Sequence, residues 1–250
     1  MGENSFDTYK PKKETTKSKS DIIAHKDIAL QKLNIFLLDY IKNPSTMDKA
    51  DKLSYWLEDY CNMLGFEDEF KPHFLKSYSR GDVIKVNLGY NIGSEEGGLH
   101  YCIVIDRRNS RKSNIITVVP LTSDKGKKLR FSEVHLGNEI YINFYQKYER
   151  LKLEISKNIN NISVSAENNS IAPVDEVVAT LDKIKTLGKI EIEMEKMKKG
   201  SIALVGQITT ISKQRIYDPQ KTGDILSGLR VSDGSLDLIN EKMKKLFIKN

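Results

Sequence analysis

Residues 80–106 read RGDVIKVNLGYNIGSEEGGLHYCIVID, and the fold turns on how this stretch is divided. VIKVNLG, residues 83–89, alternates in the manner of a half-buried strand. YCIVID, residues 101–106, is a mostly apolar run of strand length. Between them lies GSEEGGLH, residues 93–100, an acidic loop bracketed by glycines and ending in a histidine. Gly93, Gly97 and Gly98 permit positive φ and close approach of backbone. Two readings of this loop stand side by side. It is a solvated turn whose histidine merely opens the next strand, or it is backbone and side chains gathered around a substrate.

Three more stretches extend the strand pattern: NIITVVPLTS at 114–123, LRFSEVHL at 129–136 and SIALVGQITTI at 201–211, the last expected to bend or bulge at Gly206. With no helix between the first four strands, a small antiparallel barrel fits better than a βαβ sheet. Helical patterns flank and interrupt it. Residues 21–78 form an N-terminal helical region. Its first helix carries Ile23, Leu30, Leu33, Phe36, Leu37 and Tyr40 on one face and is broken at Asn43-Pro44. Ser45 with Asp48 suggests a capping box for a second helix ending near Gly65, with Leu53, Trp56, Leu57, Tyr60 and Leu64 as its apolar face. Residues 137–199 read as an inserted helical hairpin. Helix is expected over 139–157, an Asn/Ser-rich turn over 158–172, and a longer helix over 174–199. Val177, Val178, Leu181, Ile184, Leu187, Met194 and Met197 recur in that longer helix near heptad spacing. A closing helix starts near Ser235 with Leu236, Leu238, Ile239, Met243 and Leu246 available for burial. Residues 1–20 are polar and lysine-rich and read as a disordered basic arm. The expected fold is α+β, with the barrel built from 79–136 and 200–250.

Composition narrows the class of function only modestly. The 250 residues carry a net charge of +6, a weak pointer to polyanionic partners. Neither cysteine, Cys61 or Cys102, belongs to a close Cys/His cluster, and both read as small buried hydrophobes in a reducing cytoplasm. No metal or cofactor is expected. No run approaches the roughly 20 apolar residues that span a bilayer, and the polar first 20 residues lack the apolar core of a secretory signal, so no membrane partner is expected.

Three segments taken in order, RGDVIKVNLGYNIGSEEGGLHYCIVID (80–106), VVPLTSDK (118–125) and GSIALVGQITTISKQRI (200–216), resemble the signature segments of MazF/PemK toxins. The resemblance covers about a fifth of the chain and leaves out the N-terminal and inserted helices. It implies an SH3-like, CcdB/MazF-type barrel that works as a homodimer and is inhibited by a cognate antitoxin. It also implies metal-free cleavage of single-stranded RNA, leaving a 2′,3′-cyclic phosphate and a 5′-hydroxyl. On this likeness Glu95 matches the acidic residue of the glycine loop, Thr122 the catalytic threonine or serine, and Gln207 the glutamine of the last segment. Two positions depart from the family pattern: His100 stands where the family has arginine, and Gly206 where an aspartate precedes the glutamine.

Such cleavage uses the ribose 2′-hydroxyl as an internal nucleophile, so a group must take its proton and donors must hold charge on phosphorus. An imidazole titrates near neutrality and can exchange that proton, which makes His100 the expected acid–base residue. Thr122 is the expected phosphate anchor, with Glu95 accepting from a base or orienting His100. Gly97 and Gly98 would admit the RNA strand, and Ser123, Lys125, Lys127 and Gln207 complete the expected substrate contacts. A second reading keeps the same barrel as a module that binds RNA or a protein partner without cutting, as the related CcdB toxins act by protein contact.

Overall fold

The computed structural model describes residues 17–167 and 173–249. Most of the expected basic arm therefore lies outside the described residues. Contacts divide the chain after Glu58 into two compact units.

The first unit holds helix α1 (Lys19–Lys42) and the start of α2 (Met47–Phe66). Helix α1 begins inside the segment expected to be disordered. Ser18 makes a capping box there: its hydroxyl accepts from the Asp21 amide, and the Asp21 carboxylate accepts from the Ser18 amide. The box expected at Ser45 and Asp48 is replaced by a different turn. The Ser45 hydroxyl donates to Asn43 Oδ1 at 2.9 Å, the Thr46 hydroxyl to the Tyr40 carbonyl at 2.9 Å, and Asp48 pairs with Lys52. No residue of α1 is buried, so its predicted apolar face is exposed at Ile23, Leu30 and Phe36.

In the second unit, seven strands form one antiparallel sheet: β1 (Val83–Asn87), β2 (Leu99–Val104), β3 (Ile115–Ser123), β4 (Glu133–Gly137), β5 (Ser201–Leu204), β6 (Thr209–Ser212) and β7 (Ile216–Asp218). Their order is β4-β5-β3-β2-β1-β7, with β6 also on β3. Strand β3 is the spine. Along one edge it pairs with β2. Along the other it pairs with β6 at Ile115–Val118 and with β5 at Leu121–Ser123. The stretch expected as one strand bent at Gly206 is thus two strands joined through a 3₁₀ turn at Val205–Gln207. Strand β4 is shorter than expected, because residues 129–132 belong to the turn before it.

Alternation along the strands separates two cores. Val83, Ile103, Val119 and Leu121 face the helices α3 (Glu139–Glu167), α4 (Val174–Met197) and α5 (Asp233–Phe247), which contribute Ile140, Phe144, Ile190, Met194, Leu236 and Ile239. Ile84, Val86, Cys102, Val104, Ile116, Val118, Ile211 and Ile216 face the other way, in a cluster drawn from strands β1, β2, β3, β6 and β7 with Tyr78 and Leu88. The apolar stripe of α4 is used only in its second half. Ile190, Met194 and Met197 are buried, while Val178, Leu181 and Ile184 remain exposed. Helix α3 continues to Glu167, through residues 158–167 that composition assigned to a turn; the rest of that expected turn, 168–172, lies outside the described residues. Asn158 is held in α3 by a 3.2 Å bond from its amide to the Thr180 hydroxyl of α4. Helix α5 starts two residues earlier than expected, at Asp233 behind the Ser232 cap, and its Leu238 is exposed rather than buried. Cys102 is buried as expected, but Cys61 is exposed. Among the described residues no helix is long and apolar enough to cross a membrane.

Candidate active site

The acidic loop is closed by backbone. Gly98 N–H donates to the Gly89 carbonyl at 2.6 Å and Leu88 N–H to the Gly98 carbonyl at 2.7 Å. Gly93 and Gly98 take the positive φ expected of them, +66° and +79°. Gly97 does not, and is required for a different reason: a Cβ there would sit 2.7 Å from the Gly89 oxygen. Gln207 fastens the loop from the far side. Its Nε2 donates to the Ser94 carbonyl at 2.9 Å and its Oε1 accepts from the Glu96 amide at 3.3 Å. The amide expected to touch substrate is thus spent on loop backbone. The departure at Gly206 has a steric counterpart, since a Cβ there would lie 2.8 Å from the Ser132 Cβ.

Beyond the loop, β2 runs against β1 with His100 opposite Val86. Its ladder with β3 ends at Cys102 opposite Pro120, because proline has no N–H to continue it. Past that point a cavity of about 200 Å³ opens, lined by His100, Leu121, Thr122, Ser123, Met197 and Ser201, with Leu99, Tyr101, Lys196 and Gly200 completing the wall. The His100 ring takes over part of the lost ladder: Nδ1 lies 3.2 Å from the Leu121 carbonyl. A carbonyl oxygen only accepts, so Nδ1 carries a proton, and in the neutral ring Nε2 is the atom with a free lone pair. Nε2 sits 3.4 Å from Glu96 Oε2.

His100 is therefore brought to one cavity with Thr122 and Ser123, more than 20 residues further along the chain. Glu95 is not among them. Its carboxylate turns back on its own loop, accepting from the Ile92 amide at 3.4 Å, and it lines a separate, larger hollow with Gln207, Asn91 and Arg215. Glu96 takes the place beside His100. Both glutamates lie in the turn before β2, where Gly98 takes a positive φ, so strand parity does not distinguish them, and Glu96 lines the same larger hollow as Glu95. Lys125 and Lys127 are exposed on the turn after β3. Asp124 shapes that turn by accepting from the Gly126 amide at 2.7 Å and meeting His135 at 2.8 Å, and those bonds hold its carboxyl below the usual range.

One partly buried polar cluster borders the cavity and was not foreseen. Glu193 of α4 accepts from Lys85 of β1 at 3.0 Å, from the Tyr101 hydroxyl of β2, and from Lys196 at 2.6 Å. Burial works to raise the Glu193 carboxyl, but its hydrogen bonds from Lys196, Tyr101 and Lys85 outweigh it and hold the group low. Burial and the same carboxylate push the Tyr101 phenol up.

An antiparallel sheet braced by helices, with an imidazole and a hydroxyl lining one cavity where a proline ends the ladder between two central strands, defines a protein whose candidate site is built into its sheet. Comparison with known families gives that class its name. The chain belongs to the PemK-like, MazF-like toxins of type II toxin–antitoxin systems, whose family model matches residues 79–247, about two thirds of the chain. No curated protein matches the chain.

Proposed function

We propose that the protein is a metal-independent endoribonuclease acting on single-stranded RNA, with His100 moving the proton and Thr122 anchoring the phosphate. The observation that carries this reading is the shared cavity of His100 and Thr122, with the His100 ring fixed through Nδ1 and its Nε2 turned toward Glu96. In the proposed step Nε2 accepts the proton of the ribose 2′-hydroxyl, and Glu96 stabilises the imidazolium that forms. The O2′–P bond forms as the P–O5′ bond breaks. The departing 5′-oxygen takes its proton from water at the open rim, leaving a 2′,3′-cyclic phosphate and a 5′-hydroxyl. Thr122 donates its hydroxyl to a non-bridging oxygen, where charge grows during the reaction. Glu95, away from this cavity, is placed in the role of meeting an RNA base. Ser123, Lys125 and Lys127 follow the phosphate backbone.

The same reading extends to the fold and the partners. The second core is drawn from the sheet with Tyr78 and Leu88, and a flat sheet would leave that face to water; this supports an SH3-like barrel with α3 and α4 as an addition between β4 and β5. Family membership supports a cognate antitoxin and a homodimer as partners.

The test is incubation of the protein with single-stranded RNA in EDTA, followed by mapping of both new ends. Cyclic-phosphate ends that vanish in His100→Ala and fall by about 100-fold or more in Thr122→Ala are expected. Uncut RNA that nonetheless binds saturably would transfer the protein to the binding-module reading. Two variants that cut like the parent would remove His100 and Thr122 from the chemistry.

A further inference from the structure

We propose that helix α4 completes this site: Lys196 binds a phosphate of the RNA at the rim of the His100–Thr122 cavity, in a position set by Glu193. The inference rests on the RNA reading above and adds to it a cation that comes from outside the sheet.

The cavity has one permanently cationic side chain in its wall, that of Lys196, in the last turn of α4. An isolated lysine–glutamate pair three residues apart on a helix is worth little and, being neutral overall, would not draw an anion. The Lys196–Glu193 pair differs in two respects. First, the Glu193 side chain is only 14% exposed and is fixed from the sheet by Lys85 and by the Tyr101 hydroxyl, so it gives the Lys196 ammonium a set position. Second, Lys85 already balances its charge. Two ammonium groups share one carboxylate, which leaves a surplus of one positive charge. Lys85 is 12% exposed and packed over the Tyr101 and Tyr217 rings at 5.1 and 5.7 Å, while Lys196 is 50% exposed. The surplus therefore faces the cavity through Lys196. Two further carboxylates lie nearby and neither pairs with Lys196: Asp218 stands opposite Lys85 on β7 and accepts from the Leu226 amide, and Glu96 lies at the His100 Nε2. Thr122 offers one neutral donor to a group carrying a full negative charge, and a cation in the same wall supplies the charge-assisted contact that a hydroxyl cannot.

Lys196→Ala, Lys196→Arg and the parent protein are compared in two measurements. One is kcat/KM on a single-stranded RNA oligonucleotide in EDTA. The other is the salt dependence of binding to the same oligonucleotide carrying 2′-deoxyribose throughout, which cannot be cut. Lys196→Ala is expected to lose about 10- to 100-fold in kcat/KM. Its slope of log affinity against log salt should be shallower by about 0.7, one phosphate contact on a single strand. Lys196→Arg is expected to keep the slope. Because Lys196 is half-exposed, thermal melting of the alanine variant should match the parent. Unchanged kcat/KM and slope in Lys196→Ala, with the parent cutting RNA, would overturn the Lys196 assignment and leave the nuclease reading standing. A parent that binds but does not cut, with the slope still reduced in Lys196→Ala, would defeat the cleavage reading and keep the phosphate contact. A parent that neither binds nor cuts would defeat both.

Discussion

Replacing Gly97 with alanine isolates a steric demand that conformation alone does not explain. The new methyl would stand 2.7 Å from the Gly89 oxygen, when real Cβ atoms essentially never come within 3.0 Å. That oxygen cannot retreat freely, because it accepts the 2.6 Å bond from Gly98 N–H, and the adjacent Leu88 N–H to Gly98 carbonyl bond closes the same ring. Opening one or two such bonds costs about 1 kcal/mol each, and forcing an extra carbon into packed surroundings costs about 1–3 kcal/mol. The expected loss is about 2–5 kcal/mol. Gly98→Ala is the matched control. Its φ is +79° but open space surrounds it, so it bears only the left-handed backbone penalty of about 1–2 kcal/mol. Urea denaturation separates the two. At a slope of about 2–3 kcal/mol per molar, Gly97→Ala should lower the midpoint by about 1 M and Gly98→Ala by about half as much. A Gly97 variant no less stable than the Gly98 variant would show that the loop yields to the methyl, and the account of its closure would be wrong.

Gln207→Ala removes both of that side chain's bonds to the loop, so exchange of the Glu96 amide hydrogen should speed up about tenfold or more; an unchanged rate would show that the other loop bonds suffice to protect it. Glu193→Gln leaves the partly buried Lys85 ammonium without its counter-charge and should cost about 1–3 kcal/mol in urea unfolding. The same carboxylate sets a pH dependence. Its folded pKa lies below the ordinary glutamate value of 4.5, so its stabilisation is complete above that pH and is lost as pH falls through the folded value. The parent should therefore lose stability faster than Glu193→Gln below about pH 4.5, and parallel acid profiles would contradict this. Burial raises the Cys102 thiol and hides it, whereas Cys61 is exposed. A thiol reagent should label one cysteine in the native protein and the second only on unfolding; fast labelling of both would dispute the packing of β2.

Much of this arrangement was legible because local patterns and tertiary contacts agree. The alternation in 83–89 and the apolar run after the loop appear where the sequence puts them, while the bend expected at Gly206 is a full break between two strands. The failures share a cause: contacts between distant segments. Residues 158–167 have a turn-like composition, yet α3 continues through them beside α4. Ser163 and Ser165 turn their hydroxyls back to the carbonyls four residues earlier instead of breaking the helix. Glu96 reaches the His100 ring only through the folding of a glycine turn that no strand pattern describes. The Lys85–Glu193–Lys196 cluster spans more than 100 residues and sits on a helix that reads as simple packing. The Glu193–Lys196 spacing is a local helix pair, but no local rule brings Lys85 to it.

Helices α3 and α4 leave the sheet and return to it through paired neighbours, Gly137 opposite Ser201. On paper, a two-residue turn joining β4 to β5 would therefore restore a tidy miniature. Phe144 and Ile190 forbid it, because both are wholly sequestered among the side chains under the sheet. A chain trimmed to its familiar segments would be left with a greasy hollow where those two rested, and it belongs in the insoluble pellet.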